Sequence, residues 1–373
     1  MAAPRRSWAF SEPPGKRQAG TRACRSAGCC ATGILLIAGA ALLGGCGAGG
    51  AQEDYREYLT RLARTLSVAA VTPADPSVPA LPPPRALHLD LPPGKLDALD
   101  FLAISGCAVQ VTIGKRNSSL GRMARPSQRL LLDLEYLRLA PQCIAYQRRQ
   151  GEQALAATLQ EAWDLKRSQL PSQIFNATLG GEEYRAFWRA PLDEGDYPAD
   201  TGSALLTTLE QLNAQAERWL QGDYTADNLE VELLLGQIAN GDGGALLRAL
   251  ARQGAALAAA DHILAARSER GPLCSATWRP PEVAILDNVV RRFFIGAIQP
   301  RAAALNRRYH QLLPPVTRLE RLLDAALPPA YRAWRADRDE LLADLVQSPR
   351  RHVQALQALQ RPCAGELPAG PGH

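Results

Sequence analysis

The sequence contains none of the residue patterns that the commonest enzyme sites require. It has no G-x-S-x-G segment for a serine nucleophile, no H-E-x-x-H pair for zinc and no C-x-x-C pair for metal or redox chemistry. Histidine is scarce, and His262, His310 and His352 each stand alone in a helical pattern. We therefore expect no catalytic residue, no metal site and no cofactor, and we interpret these histidines as surface or partly buried helix residues.

A long apolar run is also lacking near the N-terminus. The mostly apolar stretch 34–43 has ten residues, whereas a bilayer-spanning helix needs about 20. A basic stretch precedes it and Leu43-Gly-Gly-Cys46 follows, an order that is typical of an exported leader with a small-residue cleavage site. We predict a signal peptide over 1–45 and lipid attachment at Cys46. The leader is unusually long, which a misassigned translation start explains.

The chain has no net charge once the predicted leader is removed. The leader holds six of the 42 Lys and Arg residues and one of the 37 Asp and Glu residues, which leaves 36 of each. A neutral chain offers no electrostatic basis for binding nucleic acid. Residues 271–363 are locally basic, with 14 basic and 8 acidic side chains. The expected partners are a membrane through the N-terminal lipid, and another envelope protein or an anionic envelope polymer.

Four cysteines remain after the leader and Cys46 are set aside. An even number in an exported chain predicts two disulfides, for which three connectivities are possible. We favour Cys107 with Cys143 and Cys274 with Cys363, because each pair lies within one half of the chain and closes the shorter loops. Four free, buried thiols are the alternative.

Strand patterns are hard to find, whereas apolar residues recur at helical spacing from 52 onward. The sequence predicts an all-α fold, a multi-helix elongated bundle with a Pro-rich extended segment near the N-terminus. The acidic stretch 192–202 is the best candidate for a break between two halves. The predicted parts are a tether over 46–51, a helix and Pro-rich segment over 52–94, helical halves over 95–191 and 200–363, and a disordered tail over 364–373.

Glycine and proline between the periodic runs predict where helices end. The predicted stops are Gly151, Gly180-Gly181, Gly222, 241–244, Gly271-Pro272 and Pro314-Pro315, and Pro141 is expected to interrupt the helix that begins at Pro126. One helix is expected over 281–312 and separate ones over 316–326, 330–347 and 349–360. The run 240–244 lacks the strand and the lysine of a phosphate loop. We interpret it as a turn between helices, with Asp242 capping the second.

One polar cluster could bind a ligand. Its predicted members are Arg116, Asn117, Ser118, Ser119, Arg122 and Arg129. Pro126 opens a helix beside them, and guanidinium groups next to a helix N-terminus suit a carboxylate or a phosphate. The alternative is a solvated connection between two helices in a chain whose basic residues are mostly arginine.

Several segments together resemble a known family. They are 116–122 (RNSSLGR), 126–130 (PSQRL), 139–144 (LAPQCI), 175–179 (FNATL), 241–245 (GDGGA) and 288–300. These resemble a family of proteobacterial lipoproteins that carries the designation domain of unknown function 3080, over nearly the whole chain from Tyr55 to Cys363. The resemblance implies an exported, lipid-anchored, helical protein and supplies no activity.

Two functions from different classes follow. The first is a non-enzymatic binding or scaffold module, tethered by Cys46. Because Gly47 rather than Asp follows this cysteine, we expect it on the inner leaflet of the outer membrane, facing the periplasm. The alternative is an envelope hydrolase or transferase whose carboxylates, such as Glu135 or Glu182 with Glu183, work in a helical cleft. An iron-acquisition lipoprotein of the imelysin kind would need a G-x-H-x-x-E motif, which is missing.

Overall fold

A computed structural model describes residues 50–92, 104, 106–189, 197, 202–275 and 277–363. The predictions for the leader, Cys46 and the tail 364–373 lie outside these residues, as do those for most of 93–105 and 190–201. Throughout the described ranges the regular structure is helical, with no β-strand. The all-α prediction is confirmed. No helix in these ranges is both long and apolar enough to cross a membrane.

The described residues form thirteen α-helices, α1 to α13 in chain order. They are α1 (Ala51–Thr65), α2 (Pro84–Leu87), α3 (Val109–Asn117), α4 (Ser119–Arg122), α5 (Pro126–Arg149), α6 (Gln153–Ala177), α7 (Glu182–Phe187), α8 (Ala204–Leu220), α9 (Asn228–Ala239), α10 (Gly243–Ser268), α11 (Glu282–Val289), α12 (Gln299–Leu322) and α13 (Pro329–Gln360). A π-helix (Val290–Ile298) joins α11 to α12, and short 3₁₀ turns lie at Asp324–Ala326 and Arg361–Cys363.

The first helix follows from the spacing of its apolar residues. Tyr55, Tyr58, Leu59 and Leu62 recur at intervals of three or four, so they share one face, and all four are buried. This face packs against α10, α11 and the π-helix. Two acidic residues in the first turn complement the positive end of the helix dipole.

The Pro-rich segment after α1 lies over the body of the protein, as predicted. Side chains from distant helices hold its backbone carbonyls: Trp334 Nε1 donates to Pro79 O at 3.1 Å, and Arg185 Nη2 donates to Pro82 O at 2.6 Å. Extended backbone leaves carbonyl groups unpaired within the segment, and these donors satisfy them.

The predicted helix stops at proline are wrong. Helix α5 continues through Pro141, α12 continues through Pro314 and Pro315, and α13 joins two predicted helices through Pro349. A proline inside a helix removes one backbone hydrogen bond and crowds the preceding turn. Apolar burial on both sides of each proline outweighs this local penalty, because the buried faces of α5, α12 and α13 continue unbroken past these positions.

Three of the predicted stops at glycine are confirmed by the backbone. Gly151, Gly222 and Gly271 have φ values of +84°, +99° and +101°, a region that other residues enter at a steric cost. Each comes just after the end of a long helix, where a left-handed residue lets the chain turn away.

The helix expected over 281–312 changes its winding in the middle. Between α11 and α12 the π-helix Val290–Ile298 replaces α-helical geometry. Pro300, at the start of α12, has no N–H to donate to the carbonyl of Gly296, so a regular α-helical ladder is already broken there. The wider turn also places Phe294 in the core.

Both predicted disulfides are confirmed. Cys107 pairs with Cys143 and Cys274 pairs with Cys363, with Cα–Cα distances of 5.5 and 5.0 Å. The first attaches the start of α3 to α5, and the second attaches the loop after α10 to the turn that follows α13.

The largest cluster of buried side chains includes members of both predicted halves, and the division into halves stays a prediction.

Candidate functional site

The polar cluster predicted to bind an anion is mainly engaged with its own backbone. Arg122 Nη1 donates to Asn117 O at 2.6 Å, and Arg129 Nη2 donates to Arg122 O at 2.5 Å. Ser118 Oγ donates to Lys115 O and accepts from the backbone N–H of Gly121. These contacts brace the turn between α3 and α5, as a helix connection requires.

Two members of that cluster do line a cavity. Arg116 and Asn117 border a cavity of about 180 Å³ between α3, α5 and α6, which we call the Asp133 pocket. The Asp133 carboxylate is buried and accepts from Lys166 Nζ at 2.5 Å and from Gln173 Nε2 at 2.8 Å. Arg116 Nε lies 3.6 Å from the same carboxylate. The pocket therefore holds two cations around one carboxylate, which leaves one positive charge in excess, and Arg116 Nε has no hydrogen-bond partner among the described residues.

A second and much larger cavity lies beside the first helix. Its volume is about 1010 Å³, and we call it the α1 cavity. Its walls come from the start of α1, the stretch 70–76, the middle of α10, the start of α12 and Tyr197. Side chains on α10 are small here, because Ala249, Ala255 and Ala256 face the cavity, and this leaves the space open.

The charged groups of the α1 cavity are unequally buried. Arg252 and Arg301 are half-buried, whereas the carboxylates Glu53 and Asp75 are exposed. Glu53 is paired with the exposed Arg56 next to it. Charges are screened less by solvent when they are partly buried, so Arg252 and Arg301 interact more strongly with the groups around them than the exposed carboxylates do.

Arg301 is largely enclosed, with 18% of its side chain exposed. Its Nη1 donates to Tyr197 O at 3.2 Å, and Nη2 lies 3.8 Å from Asp54 Oδ2, which is an ion pair but too long for a hydrogen bond. Its Nε is buried and has no hydrogen-bond partner among the described residues. A buried N–H donor without an acceptor is unfavourable.

Asp242 stands next to the α1 cavity in a role that differs from the predicted cap. It occupies the N-cap position of α10, but its side chain makes no capping hydrogen bond. Both carboxylate oxygens instead accept from Arg308, at 2.9 and 2.6 Å, and one also accepts from Tyr197 Oη at 2.8 Å. The bidentate ion pair gives the carboxylate two charge-assisted hydrogen bonds from one guanidinium. Burial and the neighbouring Asp242 raise the pKa of Tyr197.

The turn before α10 is tightly packed. A Cβ on Gly241 or Gly243 would lie closer than 3.0 Å to the Phe187 ring, and one on Gly244 would lie equally close to backbone atoms of Arg189. Glycine is needed here for close approach. The turn between helices is confirmed at 240–242, whereas Gly243 and Gly244 already belong to the first turn of α10.

The arrangement most like a catalytic triad joins three helices. His352 Nδ1 lies 2.6 Å from Asp261 Oδ1, and its Nε2 lies 2.7 Å from Tyr58 Oη. An ionised carboxylate only accepts, so Nδ1 donates to Asp261, and Nε2 shares a hydrogen bond with the Tyr58 hydroxyl. His352 is fully buried, which corrects its interpretation as a surface or partly buried residue.

The three residues of this triad are separated from the two cavities described above. Tyr58 is 1% exposed, and neither the α1 cavity nor the Asp133 pocket is lined by any of its three residues. Burial, and then the nearby Asp261 carboxylate, raise the pKa of Tyr58, so the hydroxyl stays protonated. In this buried position the hydrogen bond between Tyr58 and His352 joins α1 to α13.

The carboxylates named for a hydrolase or a transferase are not brought together at a cavity. Glu182 is exposed, Glu183 lies 3.8 Å from Arg125, and Glu135 is half-buried on α5. None of these three carboxylates lines the α1 cavity or the Asp133 pocket. In the described part of the chain, no group of three or more His, Cys, Asp or Glu side chains could hold a metal ion.

Local sequence patterns did not point to the α1 cavity. Arg252 and Arg301 occur in ordinary amphipathic runs, and Tyr197 lies in the stretch interpreted as a loop. They come together because α10 and α12 pack side by side. The nearest sequence signal is the alanine-rich stretch of α10, which indicates a helix face with little side-chain volume.

These features define an all-α, disulfide-bonded protein with a large cavity beside its first helix. The model of a family described as protein of unknown function (DUF3080) matches residues 55–366, and the chain belongs to this family. The predicted family is therefore confirmed, whereas its lipoprotein and proteobacterial character stay predictions. No curated protein and no solved structure matches the chain.

Proposed function

We propose that the mature chain is a non-enzymatic binding or scaffold module of a bacterial cell envelope. Lipid on Cys46 anchors it to the inner leaflet of the outer membrane, with the helical body in the periplasm. The leader pattern supports the anchor. Two disulfides also fit an oxidising compartment outside the cytosol.

The α1 cavity carries the binding part of this proposal. Its volume of about 1010 Å³ is at the upper end of the roughly 300–1,000 Å³ usual for ligand sites. Gly50 is part of its wall and follows Cys46 by four residues. Four extended residues span at most about 14 Å. A ligand in the cavity would thus be held close to the membrane surface.

The carboxylates paired with cations, two of them buried and one half-buried, support binding rather than catalysis. Asp133 is paired with Lys166, Asp242 with Arg308 and Glu320 with Arg338. A general acid or base must reach the substrate and exchange a proton with it. Carboxylates held between cations and core side chains are poorly suited to that exchange.

The anchor is tested by mass spectrometry of the protein isolated from cells. The expected product begins at Cys46 and carries the added mass of acyl chains. The Cys46→Ser variant should keep its leader, and Cys30→Ser, a matched change inside the leader, should be processed normally. An unmodified Cys46 in a chain that still carries residues 1–45 would overturn the anchor.

The binding or scaffold role is tested by crosslinking in intact envelopes. A tagged, lipidated form should recover a specific envelope component, and the tagged Cys46→Ser variant should recover much less of it. Purified mature protein should leave cell-wall fragments, lipids and esters unchanged. If it turned one of them over, and one polar substitution abolished the turnover, the non-enzymatic proposal would be wrong.

A further inference from the structure

We infer that the Asp133 pocket is a second binding site, one that holds a small oxyanion, either phosphate or a carboxylate group. Arg116 on α3 and Lys166 on α6 would contact the anion. The site is separate from the α1 cavity and does not depend on the lipid anchor. It takes only one arginine from the polar cluster predicted from the sequence, and it adds a lysine that no local pattern indicated.

The pocket has an excess of positive charge. Among the described residues that line it, Asp133 is the only acid, whereas Arg116 and Lys166 are both cations. These two side chains are largely shielded from solvent, with 29% and 20% of their surface exposed. Shielded charges are screened less than exposed ones. An anion bound beside Asp133 would therefore neutralise the remaining positive charge with a substantial gain in energy.

Both cations have N–H groups that no protein atom uses. The Lys166 ammonium has three N–H donors, and within the described part of the chain its one hydrogen bond goes to Asp133, at 2.5 Å. The Arg116 guanidinium donates no hydrogen bond to any described residue, and it approaches Asp133 only through Nε, at 3.6 Å. That Nε is buried, so the Nη groups are the ones offered to a ligand. An oxyanion that bridges these Nη groups and the ammonium would gain charge-assisted hydrogen bonds.

The ammonium is held in place before a ligand arrives. Lys166 Nζ bonds Asp133 and lies 5.6 Å from the centroid of the Tyr136 ring. Asp133 is fixed in turn by Gln173 Nε2, which donates to it at 2.8 Å. A donor that is ordered in advance loses less conformational freedom on binding, which favours affinity.

The size of the pocket limits the ligand. Its volume of about 180 Å³ is below the roughly 300–1,000 Å³ usual for drug-sized ligands. Buried Thr112 and Ile113 form part of its wall, whereas Asn117, which also lines it, is exposed and connects it to solvent. The space therefore suits a single phosphate or carboxylate group. These two groups share the proposed chemistry, and the experiment separates them.

The test is isothermal titration calorimetry on the full chain carrying Cys46→Ser, which cannot be acylated. The probes, at constant ionic strength, are inorganic phosphate, acetate and uncharged acetamide. We expect one site per chain for at least one of the two anions, and the tighter of them identifies the group that the pocket accepts. Acetamide has nearly the shape of acetate without its charge, and it should not bind.

Substitutions assign the binding to the pocket. Arg116→Gln and Lys166→Gln should each weaken binding of the preferred anion by about tenfold or more, because each removes a charged hydrogen-bond donor. Arg138→Gln, an exposed change on α5 that also removes one positive charge, should leave binding unchanged. The basic leader is common to all variants, so it cannot cause a difference between them. Thermal unfolding shows whether each variant is folded, and Arg116→Gln decides if Lys166→Gln unfolds.

Three results would overturn the inference. They are no binding of either anion, equal binding of acetamide, and binding that Arg116→Gln and a folded Lys166→Gln leave unchanged. If both cations served only to stabilise Asp133, their substitution would lower the melting temperature without changing the affinity, which is the third result. Because neither the anchor nor the α1 cavity enters this test, its failure leaves the proposed function intact, and failure of the proposed function leaves the titration intact.

Discussion

Glu320 on α12 and Arg338 on α13 form an ion pair in which both side chains are completely buried. Arg338 donates to both carboxylate oxygens, at 2.7 and 2.9 Å, and Tyr331 Oη also donates to Glu320 at 2.7 Å. The guanidinium lies between the Trp188 and Trp334 rings, 4.9 and 4.8 Å from their centroids. The pair joins two long helices through the core.

Removal of one partner of this pair should destabilise the protein strongly. Arg338→Met leaves the Glu320 carboxylate buried without its cation, a situation that costs about 3–5 kcal/mol. Replacing both, with Glu320→Leu and Arg338→Met, should cost less than Arg338→Met alone. Urea unfolding measures the free energy of unfolding of the single and the double variant. Arg351→Met, which removes an exposed pair on the same helix, should change stability by about 1 kcal/mol at most. Equal effects of Arg338→Met and Arg351→Met would contradict the expected burial.

The first turn of α10 should not tolerate a methyl group at Gly244. Gly244→Ala places a Cβ against the backbone of Arg189 and Trp188, which cannot move as a side chain could. We expect a loss of about 1–3 kcal/mol in the free energy of unfolding. Gly236→Ala is the matched control, because no atom lies within 4 Å of its Cβ position in α9. It should gain about 1 kcal/mol from helix propensity. A neutral Gly244→Ala would disprove the close approach.

Each disulfide should stabilise the protein by restricting the unfolded chain. The cysteines are 36 residues apart in the Cys107–Cys143 pair and 89 apart in the Cys274–Cys363 pair. The chain-entropy relation gives about 4 kcal/mol for the first and about 4.5 kcal/mol for the second. Double Cys→Ala variants test this by urea unfolding, with and without reductant. If reductant left the unmodified protein as stable as before, the pairing would be wrong.

Stability should fall at alkaline pH because of buried tyrosines. Burial raises the pKa of Tyr58, Tyr136, Tyr184, Tyr197 and Tyr331 above the unfolded value of about 10. The folded state therefore keeps protons that the unfolded state releases. Stability is full below pH 10 and decreases as the pH rises above it.

Absorbance of tyrosinate near 295 nm measures this effect. Of the nine tyrosines, these five should ionise only when the protein unfolds. A single titration of all nine near pH 10, with the helical circular dichroism signal retained, would contradict the burial.

Glycine correctly predicted where helices end, whereas proline predicted ends at positions where the helices continue. Gly151 and Gly222 end helices because a left-handed backbone residue is a local requirement that no neighbour can change. Pro141 and Pro349 also act locally, but only to weaken a helix, and apolar packing along α5 and α13 is strong enough to continue through them.

The α1 cavity and the buried networks could not be predicted for a different reason. Arg252 and Arg301 are 49 positions apart in the sequence, and Tyr58 and His352 are 294 apart. Nothing in the residues beside them marks their partners. The predicted polar cluster 116–129 lies close together in sequence, yet its arginines bind nearby carbonyl groups, and only Arg116 and Asn117 reach a cavity.

The sequence by itself determined the helical class, the glycine turns and the pairing of cysteines, because these depend on local backbone preference and on the entropy of closing a loop. The family was likewise recognisable from its segments. Only the tertiary structure decided that His352 and Arg338 are buried, that Asp242 binds Arg308 rather than capping α10, and that an open cavity lies beside α1. These outcomes depend on which helix faces meet, and burial and charge pairing arise from contacts between residues far apart in the chain.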